Sequence, residues 1–190
     1  TYIVNGVVLG FVPAGDLETI VRKSLDFEIP LVEVTDLVFS LELFHGPTLA
    51  FKDVGARFMA RLMLHFLERR GRRATVLVAT SGDTGSAVAH AFYRLPGIRV
   101  VVLFPRGRVS PLQQKLFTTL GENVSSVAVE GTFDDCQRLV KRAFDDSELK
   151  ARGPLVSANS INVGRLLPQT FYYFHLLAQL PRGGDGPLWI

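Results

Sequence analysis

Residues 74–104 decide the fold: Ala74-Thr75-Val76-Leu77-Val78-Ala79, then Thr80-Ser81-Gly82-Asp83-Thr84-Gly85, an alanine-rich segment to about Tyr93, and Arg99-Val100-Val101-Val102-Leu103-Phe104. Unbroken runs of β-branched and other apolar residues mark strands buried on both faces, and the segment between them suits a helix. The alternation continues downstream. Ser110-Pro111-Leu112-Gln113 opens a helix with a cap, a proline at the first helical position and a glutamine three residues on. Gly121 closes that helix. Val124 to Val129 reads as a third strand, Thr132-Phe133-Asp134-Asp135 caps a helix ending near Phe144, and Leu155 to Ala158 reads as a fourth strand. A long helix is expected from about Asn162 to Leu180, with Pro168 in or near its first turns. Strand and helix alternating at these lengths predict right-handed βαβ units and a mainly parallel sheet with helices on both faces, an α/β fold of three layers.

Upstream, Asp16 can cap a helix from Leu17 to Leu25, with Leu17, Ile20, Val21 and Leu25 on one face. Leu31 to Val34 and Ser40 to Phe44 read as short extended pieces. The turn Gly46-Pro47-Thr48 leads into a helix from about Lys52 to Arg69, whose apolar face is Val54, Phe58, Leu62 and Phe66. At the far end, residues 181–187 read as a flexible linker and Leu188-Trp189-Ile190 as a strand beginning, so the chain is expected to be a piece of a longer protein.

Composition narrows the function. With 190 residues, 47% of them apolar and 14 of them Phe, the chain can bury a real core without staples. Its 21 basic and 18 acidic side chains leave a net charge of +3, too small to argue for nucleic acid. The basic stretch Arg69-Arg70-Gly71-Arg72-Arg73 reads as a helix C-terminus, where exposed carbonyls favour cations. The longest apolar run, Val100 to Phe104, is too short to span a bilayer, and no secretory signal is visible, so a cytoplasmic location is expected. The single cysteine, Cys136, excludes an internal disulfide and reads as a small core residue. His65, His90 and His175 fall on separate helices without ligand spacing, so no metal is expected, and His45 reads as a turn residue.

In a parallel sheet, ligands gather where strand carboxyl ends meet helix N-termini. Three polar loops occupy such places: Ser81 to Gly85, Arg106 to Ser110, and Asn159 to Arg165. Their hydroxyls, amides, carboxylate and guanidinium suit an anionic small molecule. Neither G-x-G-x-x-G nor the P-loop pattern is present, which disfavours a nucleotide-binding module. Lys52 stands at a helix start beside Phe51, where desolvation and the positive end of the helix dipole favour a neutral, nucleophilic amine. The bland alternative is a lysine whose stem lies along apolar surface with its head in water.

The segment Phe44-His45-Gly46-Pro47-Thr48-Leu49-Ala50-Phe51-Lys52-Asp53 resembles the cofactor-lysine segment of the threonine synthase family. Thr80 to Gly85 is similar to that family's substrate and cofactor loop, and Ser157-Ala158-Asn159-Ser160-Ile161-Asn162 to another of its signature segments. Similarity extends through Phe104-Pro105-Arg106-Gly107 and Ser110-Pro111-Leu112-Gln113, from about Pro13 to Leu180 in family order. The longer bacterial and fungal branch is the nearer match, because Asp83 stands where related enzymes carry asparagine.

The resemblance implies a fold type II enzyme, similar to the tryptophan synthase β subunit, with an incomplete second domain. It implies pyridoxal 5'-phosphate carried by Lys52 and the conversion of O-phospho-L-homoserine and water to L-threonine and phosphate. Lys52 would also move protons at the substrate's α and β carbons. Asp83 would lie near the cofactor's phenolic oxygen. Ser81, Gly82, Thr84 and Gly85 would hold the substrate, with Asn159, Ser160 and Arg165 on its phosphate. By the same resemblance, residues 1–50 belong to an N-terminal region, 51–165 form the α/β domain with the lysine, and 166–190 start a second domain. The implied partner is a small molecule, with neither nucleic acid nor membrane, acting on a monomer or homodimer. A serine or threonine dehydratase shares the fold but has no phosphate to clamp, and an intact Lys52 argues against a non-catalytic homologue. The family's glycine-rich loop for the cofactor phosphate lies, in family order, beyond Ile190.

Overall fold

A computed structural model describes residues 12–180. In chain order its elements are α1 (Ala14–Ser24), β1 (Leu31–Thr35), β2 (Val38–Leu41), α2 (Lys52–Arg69), β3 (Ala74–Ala79) and α3 (Asp83–Phe92). There follow β4 (Ile98–Pro105), α4 (Pro111–Thr118), β5 (Val124–Val129), α5 (Phe133–Asp145), α6 (Ser147–Ala151) and β6 (Leu155–Ser157). The described part ends with α7 (Val163–Leu166), a 3-10 turn (Leu167–Thr170) and α8 (Phe171–Gln179).

The four expected strands form one parallel sheet in the order β5-β4-β3-β6, with Val76 opposite both Val100 and Val156. From β3 the chain steps outward to β4 and β5, then returns past β3 to β6. Right-handed crossovers in opposite directions place their helices on opposite faces, and the packing follows. Val76, Val78, Val100, Val102 and Phe104 bury against Ala56, Met59 and Ala60 of α2, Ala87, Val88 and Phe92 of α3, and Phe117 of α4. The alternate residues Leu77, Ala79, Val101 and Leu103 pack on the other face with Cys136 and Val140 of α5. Such a strand needs apolar residues at every position, which is why its sequence shows no alternation.

Outside the sheet, α1 lays Leu17 and Ile20 on Phe58 of α2, and Phe171 meets Phe58 edge to face at 5.3 Å. Arg57 ties the two helices by donating to the Ser24 carbonyl at 2.8 Å. α1 starts at Ala14, so Asp16 sits in the first turn and pairs with Arg69 at 2.7 Å instead of capping. The two extended pieces pair as an antiparallel hairpin, Leu31 opposite Leu41, and the second spans Val38–Leu41 and not 40–44. Leu37, at φ 66°, takes the left-handed conformation of its turn.

Two further expectations are corrected. The helix expected from Asn162 to Leu180 is broken into α7, the 3-10 turn and α8. Pro168 lacks an amide hydrogen and crowds the carbonyl four residues back, so a regular α-helix cannot run through it. The short helix α6 was not expected; Asp146 caps it, accepting from the amides of Glu148 and Leu149 at 2.8 and 3.0 Å. The linker at 181–187 and the strand at 188–190 lie outside the described residues. Among the described residues no helix is long and apolar enough to cross a membrane, and no three metal-ligating side chains are grouped.

Candidate active site

The strand order reverses direction at β3, so the loops leaving β3 and β6 diverge side by side at their carboxyl ends. Such a switch point is where open α/β sheets bind ligands. The first loop is built on Thr80, which is almost fully buried. Its hydroxyl oxygen accepts from the amides of Gly82 at 2.9 Å and Gly85 at 2.8 Å, and donates to the Gly82 carbonyl at 3.1 Å. Gly82, at φ 148°, adopts a conformation that a side chain would strain. A methyl group at Gly85 would collide with the Thr80 side chain. Among the described residues the amides of Ser81, Asp83 and Thr84 are left without an acceptor, so the start of α3 presents unspent donors and the positive end of its dipole.

Lys52 is the first residue of α2, with Phe51 as its cap. A buried carboxylate fixes the turn before it: Asp53 accepts from the Thr48 amide at 2.9 Å and the Thr48 hydroxyl at 2.6 Å. Gly46 leaves the room, since a methyl there would lie 2.5 Å from an Asp53 oxygen. The Lys52 nitrogen lies over the Phe51 ring, 4.7 Å from its centre, and pairs with Asp83 Oδ2 at 3.3 Å. The amine therefore faces the Ser81–Gly85 loop, where the Asp83 carboxylate receives it.

The third loop is locked to the first two. Asn159 pairs through its side chain with both backbone groups of Ala79, accepting at 3.2 Å and donating at 2.8 Å. Asn162 caps α7 through the Gly164 amide at 2.9 Å and donates to the Ser157 carbonyl at 2.8 Å. Gly55, one turn beyond Lys52, lies so close to the Arg165 carbonyl that a methyl would collide with it. Arg165 is 5% exposed; it donates to the Ala158 carbonyl at 3.1 Å, while its Nε has no partner among the described residues. Burial holds its guanidinium below the usual arginine pKa.

Of the residues singled out in the sequence, Lys52 thus meets the loop that carries Ser81, Gly82, Asp83, Thr84 and Gly85. Asn159 spends its amide on the backbone, Arg165 is buried behind the loop, and Ser160 is exposed at its tip. His45 is engaged with Glu42 at 2.7 Å. Sequence reasoning missed Asp53, Gly55, Thr80 and the side-chain role of Gln113. The one available signal was the density of glycines beside them. A lysine amine that faces a carboxylate and unspent amides and lies over an aromatic ring fits an anionic aldehyde that needs both an amine and hydrogen-bond donors.

Residues 23–182 match the pyridoxal-phosphate dependent enzyme family. The chain is 57% identical over 171 residues to the threonine synthase of Escherichia coli, an alignment covering 90% of this chain and 40% of that protein. The crystal structure of threonine synthase from Escherichia coli superposes with a TM-score of 0.88 at 55% identity, covering 95% of this chain and 42% of that one. A pyridoxal-phosphate-bound threonine synthase from Brucella melitensis gives 0.86 at 45% identity, covering 93% and 39%. The chain therefore spans about 40% of the length of the curated relatives it matches. The fold is that of fold type II enzymes, and the chain belongs to the pyridoxal-phosphate dependent enzyme family.

Proposed function

We propose that this chain is the lysine-bearing part of a threonine synthase, converting O-phospho-L-homoserine and water to L-threonine and phosphate. The observation that carries the reading is Lys52 Nζ, 3.3 Å from Asp83, facing the start of α3 at the sheet's switch point. Identity to threonine synthases supports the choice of reaction. Pyridoxal phosphate, when bound, supplies the electron sink for carbanions formed on the substrate.

The chain's own residues do the rest. Lys52 holds the cofactor through Nζ and, once released by substrate, takes and returns protons at the α and β carbons. The amides of Ser81, Asp83 and Thr84 hold the substrate carboxylate, with the hydroxyls of Ser81 and Thr84 beside them. Gly82 and Gly85 give the loop the backbone shape that leaves those amides facing the substrate. Asp83 accepts a hydrogen bond from Nζ at 3.3 Å and holds the amine at the loop. Ser160 offers its hydroxyl to the substrate phosphate from the loop tip, the buried Arg165 supplies positive charge beneath that loop, and Asn159 anchors the loop to β3. Within the whole protein, residues 1–50 are part of an N-terminal region, 51–165 the α/β domain, and 166–190 the start of the second domain. We place the enzyme in the cytoplasm as a monomer or homodimer.

The test uses the chain extended to the length of its relatives. Pyridoxal phosphate should give a visible band near ~410–420 nm, characteristic of a lysine Schiff base, and phosphohomoserine should release phosphate and threonine in equal amounts. Lys52→Ala should abolish both. A protein that stays colourless, or releases phosphate without threonine, would refute the reading.

A further inference from the structure

We propose that Gln113 is a positioning residue whose side chain holds the Asp83 carboxylate against the Lys52 amine, a role that rests on Lys52 being the reactive lysine. The two oxygens of Asp83 are divided between two donors: Oδ2 takes the Lys52 ammonium at 3.3 Å, and Oδ1 takes Nε2 of Gln113. Ser110 fixes which end of the amide faces the carboxylate. Its hydroxyl oxygen accepts the Gln113 backbone amide at 3.3 Å, so its proton goes to Gln113 Oε1, at 2.9 Å. The Gln113 nitrogen must then point at Asp83, and donation runs one way from Ser110 to the carboxylate. The Gln113 backbone is also held, its carbonyl accepting from Ser86 of α3 at 3.3 Å.

Two features show that this geometry is built at a cost to local structure. In a capping box the third helical residue reaches back to the amide of the cap, as Asp135 does to Thr132 in α5, at 2.7 Å. Gln113 occupies that position in α4 but gives its Oε1 to the Ser110 hydroxyl and its Nε2 to Asp83, so α4 lacks the reciprocal bond to the cap amide. Its side chain then lies across Gly82, where a methyl group would collide with the Gln113 amide. A departure from a local rule at one residue, with a neighbour cleared to allow it, is expected where a site takes precedence over the helix. Asp83 is nearly half exposed and would otherwise be free to swing into solvent. With Gln113 in place, the carboxylate stays where it is when the Lys52 amine is engaged elsewhere.

The test needs no cofactor. Acetylation of Lys52 by dilute acetic anhydride is followed at fixed pH by mass spectrometry in the full 190-residue chain, with Lys141 as internal standard. An ammonium held by a carboxylate must leave the pair before it can react, so Asp83→Asn should speed Lys52 labelling about two- to fivefold, the range for a partly exposed ion pair. Gln113→Met, similar in length but without a donor, should move the rate the same way, about twofold. The double variant should add nothing to Asp83→Asn alone. The fold is retained because Ser110 still caps α4 through the backbone of residue 113, and a thermal melt checks this. Labelling at the wild-type rate in Gln113→Met while Asp83→Asn is fast, or additive effects in the double variant, would overturn the proposal and leave the Lys52 reading intact. An unchanged rate in Asp83→Asn would overturn both.

Discussion

Replacing Gly55 by alanine pits two effects of opposite sign against each other. In a helix interior, glycine is less favourable than alanine by roughly 0.5–1 kcal/mol, so the substitution alone should stabilise. Here the new methyl would meet the Arg165 carbonyl inside contact distance, with Gln169 Nε2 and Cγ at 3.1 and 3.2 Å. Gln169 can rotate away; a backbone carbonyl cannot. Overpacking costs about 1–3 kcal/mol, and a clash with a backbone carbonyl lies toward the upper end, leaving a net loss of about 1–2.5 kcal/mol. For a chain of this size that lowers the melting temperature by about 2–10 °C. Gly15→Ala is the control, because Gly15 lies in α1 with nothing within 4 Å, and it should gain up to about 0.5–1 kcal/mol. Thermal melts of the two variants should therefore move in opposite directions. In the extended enzyme Gly55→Ala should also raise KM for a phosphorylated substrate more than it lowers kcat, since α7 must shift and carry Arg165 with it. A Gly55→Ala protein that melts at or above the parent temperature would refute the close approach.

Other expectations are briefer. Asp53→Ala strands the buried amide and hydroxyl of Thr48, at about 1–3 kcal/mol for each unpaired group, and urea unfolding should show a loss of about 2–6 kcal/mol. Thr80→Val should cost a similar amount, and amide hydrogen exchange at Gly82 and Gly85 should accelerate selectively. Cys136, fully buried, has its thiol pKa raised above the ordinary 9.0 by burial first and the Asp135 charge second. The unfolded thiol ionises before the folded one, so this contribution is complete below pH 9 and lost as pH rises from there through the folded value. Unfolding free energies measured from pH 8 to 10.5 should fall more steeply for the parent than for Cys136→Val.

The parallel sheet was legible because Val76-Leu77-Val78-Ala79 of β3 and Val100-Val101-Val102-Leu103-Phe104 of β4 are apolar at consecutive positions, a pattern that burial on both faces supports. The loops of the site were legible because strand ends in such sheets are predictable places. What escaped were uses of side chains that the chain's local grammar assigns elsewhere. Gln113 reads as half of a capping box and serves Asp83 instead. Asn159 reads as a ligand-facing amide but continues the ladder of β6 onto Ala79, its two groups replacing a backbone pair. Asp53 reads as an ordinary acidic residue in a first helical turn, and only the fold-back of Gly46-Pro47-Thr48 shows it buried. The break at Pro168 was readable from proline chemistry alone, but the apolar run from Phe171 to Phe174 made one continuous helix look natural.

Because one threonine hydroxyl under the loop takes up the amides of Gly82 and Gly85, the shape of the β3–α3 turn is set from beneath. The outward positions contribute little to it: Ser81 and Thr84 make no side-chain hydrogen bond to the rest of the described chain. Scaffold and contact surface are therefore separable in this turn. Substitutions at 81 and 84 leave the frame undisturbed, whereas the same chemistry introduced at 80 or 85 would change the frame itself. Two adjustable positions therefore rest on a base that does not need to be rebuilt.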